Sequence, residues 1–173
     1  MLVVLITHAR PDLGAHFNPA VSARVRARES VGARRVGCLC AGADRGGIAG
    51  VLVAHGMFDE TLFQLSTKAR SGPAQWLSEA VAAFGLVLAI LLTLRVNPPA
   101  VAASVGLYIT AAYWFTASTS FANPAVTVAR AISDTFAGIR PADVAPFIVA
   151  QFVGAVAGMF VSRWLAPGRR DGG

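Results

Sequence analysis

Residues 76–94 form a nineteen-residue apolar run broken only by Ser78, Glu79 and Thr93, and that run limits the fold more than any other feature. A bilayer core about 30 Å thick takes roughly 20 apolar residues per helix, so the run predicts a membrane span. Two more spans follow: residues 100–117, with Tyr108, Tyr113 and Trp114, and residues 144–166, with Gln151 inside and Arg163 near the end. Composition agrees, with 14% charged and 55% hydrophobic residues and a mean hydropathy of +0.58. A soluble domain carries about 25% charged residues. The length has room for five or six spans with almost no loops, and none for a sizeable soluble domain as well. Gly154 and Gly158 give the last span a small-residue pair, which is either a face for close helix contact or plain low-bulk composition.

The net charge of +6 is compatible with nucleic acid or an anionic membrane surface, and the apolar runs favour the membrane. Arg95 follows the first span, and Arg163, Arg169 and Arg170 close the last, which puts both ends in the cytoplasm. Residues 59–75 are then an outer loop and residues 167–173 a cytoplasmic tail. Cys38 and Cys40, with one residue between them, have poor geometry for a mutual disulfide and supply at best half a zinc site. They read as incidental, and neither metal nor cofactor is expected. Residues 1–7 have no basic leader and no small-residue cleavage pattern, so they are not a signal peptide.

A twelve-residue apolar stretch at 121–132, FANPAVTVARAI, is too short to span and predicts a re-entrant half-helix. Its core occurs twice. Residues 14–22 read GAHFNPAVS and residues 120–127 read SFANPAVT, 105 positions apart. Duplication within a membrane chain points to a transporter or channel with its site where the repeats meet. The physical reason for the motif is a helix start. Asn at the N-cap accepts a first-turn N–H through its side-chain oxygen, leaving its amide NH2 aimed away from the helix. Pro at the first helical position forfeits only an N–H that would be orphaned anyway. Two such starts, Asn18-Pro19-Ala20 and Asn123-Pro124-Ala125, meeting at mid-membrane would offer paired donors to a passing oxygen. Their positive dipole ends would oppose cations.

With these motifs the chain resembles the major intrinsic protein family, the aquaporins and aquaglyceroporins. HFNPAVS is similar to the family's first motif and FANPAVT to its second, and residues 64–167 follow the family's second half in order and spacing. The resemblance implies an all-α membrane fold of six helices and two re-entrant half-helices. Residues 76–94, 100–117 and 144–166 would be the fourth, fifth and sixth helices. It also implies a multi-pass inner-membrane protein in contact with the lipid bilayer, tetrameric, and not an enzyme. Glu79 matches the buried acid that accepts hydrogen bonds from the second re-entrant loop. A carboxylate inside a span is costly without a partner, and the alternative is a helix-end Glu snorkelling outward. By spacing from Asn123, the outer selectivity filter falls on Ala111, Ser120 and Val126. Most members have Arg where this chain has Val126, and Val neither donates hydrogen bonds nor repels cations. The three residues imply a wide, weakly polar filter, similar to that of aquaporins from arsenic-resistance operons. Water, glycerol, urea and undissociated arsenite are the solutes implied. Arg130, one turn beyond Val126, would either bring charge to the outer vestibule or face solvent or headgroups.

The first half departs from that pattern. The family's first helix is missing and its second is reduced to residues 1–7, so residues 1–58 look like the remnant of a first repeat and residues 76–166 like a complete second one. Residues 23–45 carry Arg24, Arg26, Arg28, Arg34, Arg35 and Arg45. At roughly 2.5–3.5 kcal/mol per mid-bilayer Arg, this stretch is not expected to span. The thirteen residues from Gly46, GGIAGVLVAHGMF, resume the family pattern but are too few to cross, so the third helix is disrupted. Three readings fit the Arg-rich stretch: a basic arm, a solvated cytoplasmic loop, or translation in a shifted frame between compensating indels. The arm is disfavoured for nucleic acid by the lack of aromatic interleaving. The abrupt loss and return of the pattern favours the shifted frame. Two functions follow, a channel for small neutral solutes impaired in this short form and a non-conducting remnant. The second leads one to expect no accelerated solute uptake. No Ser/His/Asp arrangement, phosphate loop or paired carboxylate supports an enzyme.

Overall fold

A computed structural model describes residues 6, 7, 18 and 33–166, with backbone alone for 33–40. Among the described residues the regular structure is helical: α1 (Ala33–Met57), α2 (Pro73–Val96), a single 3-10 turn (Pro98–Ala100), α3 (Val101–Phe115), α4 (Pro124–Arg130) and α5 (Pro141–Leu165). Proline stands at the start of α2, α4 and α5, where its fixed φ suits the first turn and its missing N–H loses no bond. The turn after α2 closes where Asn97 N–H donates to the Thr93 carbonyl at 2.8 Å and Pro98 and Pro99 forbid continuation.

Two of these helices, α2 and α5, are long and apolar enough to cross a membrane, and large apolar side chains such as Leu77, Val153, Phe160 and Trp164 stand exposed on them. The run 100–117 yields only fifteen helical residues, α3, about 22 Å at 1.5 Å per residue. The prolines consume its start. At its end Thr116 turns extended while its hydroxyl donates to the Ala112 carbonyl at 2.7 Å.

The chief packing is α2 on α5. A Cβ added at Gly154 would meet the backbone carbonyl of Ala80, and one at Gly158 would lie 2.7 Å from the Phe84 oxygen. The small-residue pair is therefore a helix-contact face, which decides between the two readings of its spacing. Ala82, Ala83 and Leu86 of α2 join Val101, Ala102 and Val105 in a second cluster, which also takes in Ala122 and Ile6. Tyr108 ties the same helices together by donating to the Ala82 carbonyl at 3.1 Å.

One difference from expectation lies in α1. The helix runs unbroken from Ala33 through Arg45 to Met57, whereas the charges had suggested a disrupted element starting near Gly46. Helix formation and membrane insertion obey different rules: Arg is a good helix former whatever it costs in lipid, while the six glycines of α1 each disfavour a helix by up to about 1 kcal/mol, so packing has to support it. The continuation also docks. Gly47 approaches α4 so closely that a Cβ there would stand 3.1 Å from the Ala129 Cβ and 3.5 Å from the Ala125 carbonyl oxygen. The first expected half-helix, with Pro19 and Ala20, lies outside the described residues, as do residues 167–173.

Candidate functional site

The site is built on the entrance to α4. Asn123 has extended backbone (φ −157°), and its side-chain oxygen accepts from Ala125 N–H at 3.0 Å, the cap that the Asn-Pro sequence leads one to expect. Its carbonyl accepts both the Thr127 N–H at 3.0 Å and the Thr127 hydroxyl at 2.9 Å. From the other motif, Asn18 donates through Nδ2 to the Ala122 carbonyl at 2.6 Å. Two asparagines 105 positions apart in sequence thus meet at one short segment.

That segment has unusual backbone. Thr119, Ser120 and Ala122 have φ of 58°, 47° and 46°, a left-handed region that costs a non-glycine residue roughly 1–2 kcal/mol. Such conformations persist only where the surroundings over-determine them. Here the surroundings are a buried polar network. Glu79, fully buried, accepts Phe121 N–H at 3.3 Å, Ala122 N–H at 2.5 Å and Gln151 Nε2 at 2.7 Å. The second amide hydrogen of Gln151 goes to the Thr127 hydroxyl at 2.8 Å, so one side chain from α5 links α2 to α4. Ser78 accepts Ser118 N–H at 3.1 Å. With Ala122 left-handed and Asn123 extended, neither can belong to the helix, which begins at Pro124. The half-helix is seven residues long rather than twelve.

Arg70 closes the network from the loop before α2. Buried to 4% exposure, it donates Nε to Gly138 O at 2.7 Å, Nη1 to Ser118 O at 3.0 Å and Nη2 to Phe136 O at 2.9 Å. Its backbone N–H donates to Asp143 at 2.8 Å, and its guanidinium lies 4.8 Å from the Phe121 ring centroid. Burial draws the Arg70 pKa down and the charge of Glu79 opposes it, and an arginine stays protonated through such shifts. A parallel knot joins α1 to the loop after α4. His55, buried, faces the Leu62 carbonyl through Nδ1 at 3.1 Å and the Ser133 hydroxyl through Nε2 at 3.2 Å.

Of the filter positions, Ser120 is buried in the left-handed segment, and Val126 packs partly buried beside Phe121, Ile139 and Phe147. Ala111 sits exposed on α3. Sequence reasoning did not assign Gln151, Arg70 or Ser118 to this site. Gln151 carried a usable signal, a polar side chain within an apolar span facing the interior. Arg70 carried none, because one arginine in a polar loop looks like any other.

No family model matches the chain. Among curated proteins it is similar to aquaglyceroporin AqpS of Rhizobium meliloti (strain 1021), with 53% identity over 165 residues, covering 95% of this chain and 71% of the relative.

Proposed function

The chain belongs to the major intrinsic protein family, and from that premise we propose that it forms a passive transmembrane channel for small neutral solutes. Water, glycerol and undissociated arsenite are the solutes proposed, and the setting is a multi-pass tetramer in the inner membrane. The observation that carries the reading is the Asn123-capped half-helix held by Glu79, with Asn18 of the other motif against its entrance. In the proposed pore, Asn18-Pro19-Ala20 and Asn123-Pro124-Ala125 meet at the centre and the two asparagines orient the solute oxygen. Ala111, Ser120 and Val126 form the outer filter, and Glu79 fixes the loop between.

Proteoliposomes containing the full chain should re-swell faster in a glycerol gradient than protein-free vesicles. Val126→Arg should then cut glycerol flux by about tenfold, the effect of roughly 1.4 kcal/mol on the barrier, because a five-donor cation narrows a wide filter. It should reduce osmotic water flux less. A second reading, a chain that does not conduct, draws on Arg34, Arg35, Asp44 and Arg45 within α1, charges that cost several kcal/mol in lipid unless they face protein or water. Swelling no faster than in empty vesicles, with the variant indistinguishable from wild type, would favour that reading.

A further inference from the structure

Arg130 is the cation that the filter position Val126 lacks, and its surroundings are odd. Its guanidinium lies 4.3 Å from the Phe121 ring centroid, on the same ring that carries Arg70 at 4.8 Å. Nη1 is buried with no hydrogen-bond partner among the described residues. Among the described residues no carboxylate pairs with Arg130, the recorded ion pair being Arg140 with Asp143 at 3.0 Å. A guanidinium has five N–H donors, and leaving such donors unmet inside a protein is expensive.

Among the described residues, the carboxylates of the surrounding elements are engaged by other groups. Glu79 serves Phe121, Ala122 and Gln151, Asp143 serves Arg140 and the Arg70 backbone, and Asp134 serves Thr67. The dipole at the end of α4 favours a cation there, as does the ring face, yet neither supplies an acceptor to Nη1. Arg70 in turn directs its own donors to three carbonyls, which leaves its positive charge uncompensated by direct pairing. A second unmet group belongs to the segment that holds Phe121: the hydroxyl of Ser120 is buried without a partner among the described residues. Two cations on one ring, one with a buried donor unmet, together with a buried unmet hydroxyl, call for a compact acceptor-rich anion.

We propose that Arg130, standing on the Phe121 ring that also carries Arg70, binds a small free oxyanion or carboxylate at the loop end of the half-helix. The site does not depend on conduction, so it can be tested on the purified full chain in detergent. Thermal unfolding is followed in sodium phosphate, sodium formate and sodium chloride at matched ionic strength, and separately with added phosphatidylglycerol. Phosphate or formate should raise the melting temperature by several degrees, saturably, and chloride should not. Arg130→Gln should weaken the apparent affinity at least about tenfold, a loss of roughly 1.4 kcal/mol. Arg130→Lys keeps the charge on the ring but loses the fork, and should weaken binding as well. That variant tests the site even if Arg130→Gln does not fold. Arg140→Gln, altering an arginine already paired, should leave the response unchanged. A response equal in chloride, unaltered in both Arg130 variants, or produced by the lipid alone would overturn the proposal.

Discussion

Replacing Glu79 with leucine should destabilise the protein by roughly 3–5 kcal/mol, the range seen when one partner is removed from a buried charged network. Leucine is as good a helix former as glutamate and of similar size, so α2 itself loses little. The loss falls on the groups that Glu79 holds. Phe121 N–H and Ala122 N–H have no alternative helical partner, because the chain is left-handed at Ala122 and α4 begins only at Pro124. Each stranded donor costs about 1–3 kcal/mol, and Gln151 loses the acceptor it meets at 2.7 Å. Released from the carboxylate, residues 119–122 should leave their strained backbone, carrying Asn123 out of register with Asn18.

Denaturant or thermal unfolding in detergent measures the stability, and limited proteolysis between α3 and α4 measures the release of the loop. A double-mutant cycle sharpens the test. Gln151→Leu should cost clearly less in the Glu79→Leu background than alone, since the two residues share a bond and such pairs couple by roughly 0.5–3 kcal/mol. Additive costs, or a Glu79→Leu protein within about 0.5 kcal/mol of wild type as at an ordinary surface position, would mean that this network does not hold the loop.

The parts of this site that could be read in the sequence are those dictated by local chemistry. Asn123 followed by Pro124 is a helix start in any surroundings, and the observed cap follows. An acid three residues into an apolar run must either reach water or find donors, and Glu79 is fully buried among donors. The apolar runs placed α2 and α5 and set their C-terminal ends to within two residues, but both helices begin three residues before the runs do, at Pro73 and Pro141. What escaped depends on tertiary placement. Left-handed backbone at Thr119, Ser120 and Ala122 has no signature in residues that rarely adopt it, because it is imposed by Glu79, Ser78 and Arg70 from elsewhere in the chain. The continuity of α1 through Arg45 escaped for a different reason: hydropathy reports the cost of lipid, while the Gly47 contact with Ala129 reports a protein neighbour that no window on the sequence contains.

The contact between α2 and α5 carries the other large effect, and it should be revealed by the smallest possible side chain. Gly154→Ala places a methyl group against the Ala80 carbonyl, with the Ala80 carbonyl carbon only 2.8 Å away. Those are backbone atoms, which cannot rotate aside as a flexible side chain does. The helices must separate, at a cost near the top of the roughly 1–3 kcal/mol range for overpacking. Gly158→Ala meets the Phe84 oxygen at 2.7 Å and the Val87 Cβ at 3.3 Å, and should cost less. Helix propensity pulls the other way by up to about 1 kcal/mol per glycine, so a control is needed. Gly46→Ala in α1 has nothing among the described residues within 4 Å of the new Cβ and should be neutral or stabilising. Unfolding of the three variants in detergent should therefore rank Gly154→Ala least stable, Gly158→Ala next and Gly46→Ala at or above wild type. The effect should also reach the site. Gln151 lies on the same buried stripe of α5, one turn before Gly154, so pushing α5 off α2 draws its amide away from Glu79 and Thr127. Gly154→Ala should then raise protease cleavage between α3 and α4 as Glu79→Leu does, whereas a helix contact with no link to the loop would lower stability and leave that cleavage unchanged.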